Sequence, residues 1–259
     1  MREFSAILTI AYRDMIMFLR DPLRLISTLV FPLIFIGILG GSLQSNLGKG
    51  AGYNFLAFTF TGVYAQTLFQ SAALGVISLI EDRENDFSQE IFVSPISRYS
   101  IVFGKILGES LVAMTQGLAI VLFGVLIGIH FSFAQALGLV PVGIVMCLLG
   151  GAFGVAVMAN LSSQRAANQL FPFILLPQFF LAGIFAPIRI LPLYLDVLSK
   201  ISPLRYAVDL ARGVYYAGQP EYPKVVLASP VFNLAVISAM FFVFLFSGTL
   251  LFVRRERNR

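Results

Sequence analysis

Residues 25–43 read LISTLVFPLIFIGILGGSL, a run of 19 residues without a charged side chain. A helix needs about 20 largely apolar residues to cross the hydrocarbon core of a bilayer, which is about 30 Å thick. Further largely apolar stretches follow at 55–80, 101–129, 136–161, 167–188 and 231–253, of which 101–129 carries Lys105 and Glu109 near its start. The sequence therefore predicts an all-α membrane protein with six transmembrane helices, forming a single membrane domain over residues 1–259.

Composition supports this class and argues against catalysis. The chain has 259 residues, of which 58% are hydrophobic and 12% charged, whereas soluble domains carry about 25% charged residues. One cysteine and one histidine exclude a disulfide framework and a zinc site built from those residue types. Neither Gly48-Lys49 nor Gly104-Lys105 lies in the GxxxxGK[ST] pattern that binds nucleotide phosphates. We expect no enzymatic site and no cofactor on this chain.

The distribution of basic residues predicts the orientation. Six spans place both termini on one side, and that side then holds 12 of the 18 Lys and Arg residues. The tail RRERNR at 254–259, directly after the last span, is the strongest signal for a cytoplasmic location. Five basic residues within 189–224 lie on the other side and weaken the assignment. We expect a multi-pass protein of the plasma (inner) membrane with cytoplasmic termini.

Residues 1–22 have the pattern of an amphipathic helix that ends at Pro22. Its apolar residues recur at spacings of three and four: Phe4, Ile7, Leu8, Ala11, Met15, Phe18 and Leu19. The charged residues, Asp14 among them, lie mostly elsewhere on the helix. This pattern predicts a helix in the plane of the lipid headgroups, and packing against a partner or the chain's own loops is the alternative.

The most polar part of the chain is the loop 81–98, EDRENDFSQEIFVSPISR. A helix here would bring Phe87, Glu90, Ile91 and Ser94 to one side, at i, i+3, i+4 and i+7. Such a helix is typical of segments that dock into a groove on a partner. A solvated loop with incidental apolar residues is the alternative.

The stretch 188–230 is too polar for an ordinary span, and its apolar periodicity predicts two short helices separated by Pro203. Two half-length helices can enter a bilayer and return if protein shields their polar ends. A helical hairpin lying on the membrane surface is the alternative.

Glu109 is the one acidic residue well inside a predicted span, and such a residue suggests a function. Lys105 lies four residues earlier, so the two side chains can also form a structural ion pair on one helix face. A role for Glu109 in a transport path or a partner contact is the second possibility.

Two segments together resemble a known family. The sequence EIFVSPISRYSIVFGK at 90–105 resembles the segment that type-2 ATP-binding-cassette (ABC) exporter permeases carry between their second and third spans. The sequence GIFAPIRILPLYLDVLSKISPLRYAVDLARG at 183–213 is similar to the family's stretch between the fifth and sixth spans. The order of elements, from amphipathic helix through six spans to a basic tail, also matches.

This resemblance implies roles for particular residues. The helix 1–22 would be the family's connecting helix, and the cytoplasmic coupling helix would dock onto a separate ATPase through a set of residues within 81–98: Asp86, Phe87, Glu90, Ile91, Ser94, Pro95 and Arg98. The outer re-entrant segment would include Pro192, Pro203, Tyr206, Asp209 and Arg212. This chain has Phe87-Ser88-Gln89 where the family often has a Gly-Thr pair, and this difference can tune the ATPase contact.

The resemblance also implies partners. Two ATPase subunits, which bind ATP and Mg²⁺, would act with two copies of the permease, in a homodimer. No nucleic acid is expected as a partner. The leading hypothesis is export of a hydrophobic or amphipathic drug or lipid. Export of a polysaccharide or glycolipid, a non-transporting membrane assembly factor, and an ion-coupled carrier are the alternatives.

Overall fold

A computed structural model describes residues 2–80, 97–161 and 163–257, and every regular element in these ranges is helical. The elements are α1 (Arg2–Arg20), α2 (Pro22–Ile34), a π-helical turn (Phe35–Gly40), α3 (Gly41–Ala51), α4 (Phe55–Gly75), α5 (Arg98–Leu126), α6 (Phe133–Met158), α7 (Gln164–Leu181), α8 (Leu193–Ile201), α9 (Pro203–Tyr215), α10 (Tyr222–Val225) and α11 (Pro230–Arg257). The all-α class predicted from sequence is confirmed for these ranges.

Five helical stretches in the described ranges are long and apolar enough to cross a membrane: Pro22–Gly48, Phe55–Ile80, Arg98–Leu126, Phe133–Met158 and Tyr222–Arg254. They correspond to the first four predicted spans and the sixth, and indicate a multi-pass membrane protein. The predicted fifth span, 167–188, corresponds to α7, which is not one of the five. The count of six therefore stays a prediction.

α7 is shorter than the predicted span because its end is set by a glycine. The helix ends at Leu181, and Gly183 follows with a φ of 69°, the left-handed conformation that commonly terminates helices. Its first two turns also carry four polar side chains, Gln164, Arg165, Asn168 and Gln169, which lower the mean hydropathy.

Polar side chains before the helices fix where they begin. Asp21, Asn54, Ser97 and Ser163 each accept a hydrogen bond from a backbone N–H in the first turn of the helix that follows. Ser132 does the same in a reciprocal pair with Gln135. Such caps satisfy amides that have no partner within the helix.

The first apolar stretch is one helical rod with a local irregularity. α2 contains Pro32, which has no N–H to donate, and the π-helical turn begins three residues later at Phe35. Proline removes a helical hydrogen bond and crowds the preceding turn, and π-helical turns are a common adjustment within α-helices.

α4 lies at the centre of the bundle, and most of its residues are buried. α6 packs beside it in parallel, with Gly150 against the backbone of Phe69 and Gly154 against that of Ala73. A side chain at either glycine would overlap these backbone atoms. The two glycines therefore permit a close contact between α4 and α6, as small residues do in membrane bundles.

α5 packs on α4 in the antiparallel direction. Gly124 contacts Phe60 near one end, and Gly75 contacts Glu109 near the other. α1 lies along the first half of α5, and we call this end of the bundle the N-terminal side. α8, α9 and α10 lie at the opposite end, the far side, where Lys224 donates to the carbonyl of Gly52.

Candidate functional site

The predicted docking residues lie mostly outside the described ranges. Asp86, Phe87, Glu90, Ile91, Ser94 and Pro95 fall within 81–96, so the docking helix stays a prediction. Arg98 is the first residue of α5, and the preceding Ser97 caps that helix by accepting from the N–H of Ser100 at 3.1 Å. α5 therefore begins at the last residue of the segment predicted to contact a partner.

α1 is attached to this starting point of α5. The backbone N–H of Ser97 donates to the carboxylate of Glu3, and its nitrogen lies 3.2 Å from each of the two carboxylate oxygens. The pKa of Glu3 is lowered below its ordinary value of 4.5, mainly by a hydrogen bond from the Ser100 hydroxyl and secondly by one from the Ser97 amide. Both hydrogen bonds favour the charged form of the carboxylate. The first turn of α1 thus contacts Ser97, which lies near the end of the predicted docking segment 81–98.

Two glycines bring α1 close to α5. A Cβ atom at Gly104 would lie 3.0 Å from Ile10 Cβ, and one at Gly108 would lie 3.1 Å from Ala11 Cα. Both distances are too short for ordinary packing. The spacing of four residues places the glycines on one face of α5, where they form a shallow seat for α1.

A cluster of charged side chains lies at this contact, which we call the ion network: Arg13, Asp14, Arg24, Lys105 and Glu109. The Lys105 ammonium lies 2.8 Å from Asp14 Oδ2 and 3.3 Å from Glu109 Oε1. These three side chains are each no more than 4% exposed. Burying charges is costly unless they are paired, and the shared ammonium provides the pairing for both carboxylates.

Two arginines extend the ion network toward its edges. Arg13 lies 3.2 Å from Asp14 Oδ1, and its side chain is 29% exposed. Arg24, at the start of α2, lies 3.9 Å from Glu109 Oε2 and is 43% exposed. The network thus connects α1, α2 and α5 at the N-terminal side.

Sequence reasoning placed Lys105 near Glu109 but missed Asp14 as their neighbour. The helical pattern assigned Asp14 to the polar face of α1, whereas it is buried between Ala11 and Phe18, which are also buried. The available signal was its position, three residues after Ala11 and four before Phe18. An acidic residue that lies on the same helix face as two buried apolar residues is a candidate ion-pair partner for a buried lysine on a neighbouring helix.

A polar cleft lies beside the ion network, between α2 and α4. It has a volume of about 340 Å³ and includes Arg24 at one end. Its other lining residues are Ser27, Thr28, Phe31 and Pro32 of α2, Thr67, Gln70, Ser71, Leu74 and Gly75 of α4, and Gln116 of α5. Gly75 is shared with the network, because the space left by its missing side chain is occupied by the Glu109 carboxylate.

On the far side, Asp209 holds α9 to the start of α11. Its buried carboxylate accepts from the backbone N–H of Leu227 at 2.7 Å, from that of Ala228 at 2.9 Å and from the Asn233 amide at 2.7 Å. Three such charge-assisted bonds satisfy a buried carboxylate. Asp209 therefore anchors the connection between the far-side helices and the last span.

Arg212 anchors α9 to another part of the bundle. It donates to the carbonyls of Gly183 at 2.7 Å and Ile184 at 3.4 Å, and its guanidinium carbon lies 3.6 Å from the centre of the Phe58 ring. The side chain is buried, and contact with an aromatic face stabilises a desolvated cation. Asp209 and Arg212 thus bind different elements.

The remaining predicted far-side residues shape the short helices. Pro192 immediately precedes α8, Pro203 is the first residue of α9, and the Tyr206 hydroxyl donates to the carbonyl of Lys200 at 2.8 Å. Proline is favoured at a first helical position because its missing N–H is not needed there. These residues set where α8 and α9 begin and hold the two short helices together. Whether the two helices enter the membrane stays a prediction.

In the described part of the chain, no group of three or more His, Cys, Asp or Glu side chains is placed to hold a metal ion. The ion network contains two carboxylates, each already paired with a cation.

Comparison with known proteins gives the family. A family model described as ABC-2 type transporter matches residues 5–216. A protein of Cyanophora paradoxa named as a transport permease, ycf38, is 28% identical over 227 residues, covering 85% of this chain and 75% of the relative. The Escherichia coli protein YadH, named as an inner membrane transport permease, is 24% identical over 192 residues, which cover 71% of this chain and 73% of the length of YadH.

A third relative is matched over a shorter region. The Escherichia coli protein YbhR, named as a multidrug ABC transporter permease, is 26% identical over 142 residues, which is 54% of this chain and 38% of that protein. The family model spans most of the sequence and includes α1, the ion network and the far-side helix α9. The chain therefore belongs to the ABC-2 type transporter family, as a transport permease subunit.

Proposed function

We propose that this chain is the transmembrane subunit of an ATP-driven exporter for a hydrophobic or amphipathic substrate, a drug or a lipid. Two copies of a separate ATPase, which bind ATP and Mg²⁺, supply the energy, and a second copy of this chain completes the membrane path. The N-terminal side faces the cytoplasm in a plasma (inner) membrane. Family membership supports the transport role, and the name of one relative, YbhR, supports efflux.

The observation that carries the coupling part of this proposal is the attachment of α1 to the start of α5. Glu3 contacts Ser97, and Asp14 contacts Lys105 about two turns further along α5. A partner that moves the segment 81–96 would therefore move α1 and α5 together. Glu90 and its neighbours in that segment are the proposed contact with the ATPase.

The first experiment is co-purification of this chain with a candidate ATPase, followed by ATP hydrolysis measurements in proteoliposomes. We expect the ATPase rate to rise on addition of hydrophobic or amphipathic compounds. Stimulation by oligosaccharide-lipids alone would favour the polysaccharide or glycolipid alternative. Absence of both complex formation and stimulation would favour a non-transporting assembly factor.

The second experiment tests the contact itself. Glu90→Lys reverses a charge at the centre of the proposed docking helix, and it should reduce both permease-stimulated ATP hydrolysis and efflux while membrane insertion is unchanged. Glu221→Lys, on the far side, is the matched control. Full activity of the Glu90 variant would refute the docking assignment.

A further inference from the structure

The polar cleft between α2 and α4 is unusual for the surface of apolar helices. Six of its lining side chains carry hydroxyl or amide groups: Ser27, Thr28, Thr67, Gln70, Ser71 and Gln116. Polar side chains within membrane helices are costly, and they often mark the path of a polar ligand. A cavity of about 340 Å³ falls within the size range of small-molecule sites.

The charge at one end of the cleft is positive. Among the cleft-lining residues in the described ranges, Arg24 is the charged one. The ion network behind it contains three cations and two carboxylates, a formal surplus of one positive charge among these five side chains. Arg24 is the most exposed member of the network, at 43%, and it is the member that lines the cleft.

Arg24 also has donors to spare for a ligand. Its separation of 3.9 Å from Glu109 is an ionic contact that is too long for a hydrogen bond. Its other close neighbour is the Phe18 ring, whose centre lies 5.6 Å from the guanidinium carbon. A guanidinium can bind carboxylate or phosphate oxygens in pairs.

The cleft lining also includes three apolar side chains, Phe31, Pro32 and Leu74. Phe31 is 41% exposed, so apolar surface of α2 is accessible next to the cleft. An amphipathic molecule would meet a cation and hydrogen-bonding groups at one end and apolar side chains beside them. This arrangement matches a charged headgroup joined to a hydrocarbon chain.

We propose that the cleft binds the anionic headgroup of an amphipathic molecule, held by Arg24 and by the polar side chains of α2 and α4. As the assignment of a substrate class, this inference rests on the proposed function. Headgroup binding itself does not require an ATPase. The anion can belong to a resident membrane lipid or to the exported molecule, and the experiment separates the two.

The test uses the full chain in nanodiscs, without ATPase. The probes are phosphatidylglycerol and phosphatidylcholine carrying the same photoactivatable acyl chain. We expect the anionic probe to label α2 and α4 about fivefold more than the zwitterionic one, a difference typical of one charge-assisted contact at a partly exposed site. Arg24→Gln should remove this preference and Arg24→Lys should retain part of it.

Three further variants separate local binding from general attraction or misfolding. Arg20→Gln removes a nearby charge that does not line the cleft, and its labelling should match the wild type. Ser71→Leu fills the cleft and should reduce labelling, whereas Ser247→Leu, on α11, should not. Equal labelling by both probes, or unchanged preference in Arg24→Gln, would overturn the proposal.

A second arm adds the ATPase and MgATP and measures movement of the anionic probe across proteoliposomes. Movement identifies the anion as an exported substrate, and selective labelling without movement identifies a resident lipid; both support headgroup binding. Export without selective labelling would refute the cleft assignment and leave the proposed function intact. Selective labelling with no ATPase stimulation by any compound would refute the proposed function alone.

Discussion

The carboxylate of Asp14 lies 2.8 Å from the ammonium of Lys105, and both side chains are almost completely buried. The contact joins α1 to the first half of α5, and Glu109 shares the same ammonium at 3.3 Å. Removing one member of a buried ion pair leaves a charge that is only partly compensated. This relationship makes Asp14 the first position to test.

Asp14→Asn should lower the stability of the permease by about 2 kcal/mol, less than the full cost of an orphaned charge because Glu109 still faces Lys105. The measurement is the midpoint of thermal unfolding in detergent. Asp21→Asn is the matched control, since Asn caps a helix as well as Asp and Asp21 serves as the cap of α2. Equal midpoints for the two variants would contradict this assignment.

Gly154→Ala should destabilise the bundle by about 2 kcal/mol through overpacking. The added methyl group would lie 3.0 Å from Ala73 Cα and closer still to the Ala73 carbonyl oxygen, and backbone atoms cannot move aside as a side chain can. Gly41→Ala is the control, because its new methyl group would have no neighbour within 4 Å. That variant should be neutral or slightly stabilising, as expected for alanine in a helix. A Gly154 variant as stable as the control would contradict the close contact of α4 and α6.

Asp209→Asn should loosen the connection between α10 and α11. The amide cannot accept all three hydrogen bonds that the carboxylate accepts, and the loss of charge-assisted bonds costs about 1.5–3 kcal/mol. Hydrogen–deuterium exchange of residues 222–233 should increase. Asp196→Asn changes a carboxylate that is 30% exposed and paired with Lys200, and exchange in the same residues should be unaffected.

The contact between Glu3 and Ser97 should be sensitive to acid. Because the folded-state pKa of Glu3 is lowered from 4.5, its stabilising effect is complete above that pH and is lost as the pH falls through the lower folded value. Phe4→Trp would supply the chain's one tryptophan, since the sequence has none. Its fluorescence should be constant from neutral pH to about 5 and change below about 4.5.

The control for this titration is Glu3→Gln in the Phe4→Trp background. It removes the titrating group, so the acid transition should disappear. A transition that persists in the double variant would have to come from another carboxylate.

The membrane character of the chain could be predicted because continuous apolar runs are a strong, local signal. The first predicted span at 25–43 falls within the helical rod Pro22–Gly48, and 55–80 coincides with Phe55–Ile80. The predicted fifth span is not among the five long apolar helices, because the polar residues at 164–169 and the turn at Gly183 act against its length. Local composition therefore predicts most of the membrane helices, and its predictions are poorest for helices that have polar ends.

The ion network could be predicted only in part. Lys105 and Glu109 are four residues apart on one helix, so their pairing follows from helical geometry. Asp14 and Arg24 lie on other helices, and their arrival at the same place depends on the close approach that Gly104, Gly108 and Gly75 allow. A glycine's role as a seat for another helix becomes visible only when the partner helix is in place.

The cleft was missed for a similar reason. Thr67, Gln70 and Ser71 are unremarkable polar residues within an apolar run, and Ser27 and Thr28 belong to a different run. Neither group alone forms a cavity, and their convergence depends on the packing of α2 against α4.

Three contacts join the N-terminal part of the chain to α5 and occur in the same order along both: Glu3 with Ser97, Asp14 with Lys105, and Arg24 with Glu109. From Ser97 to Glu109 the helix rises about 18 Å, at 1.5 Å per residue. The three contacts thus connect the start of α5 to Arg24, about 18 Å further along that helix. Arg24 also lines the cleft, so the same series of contacts joins the predicted docking segment to the place where a ligand would bind.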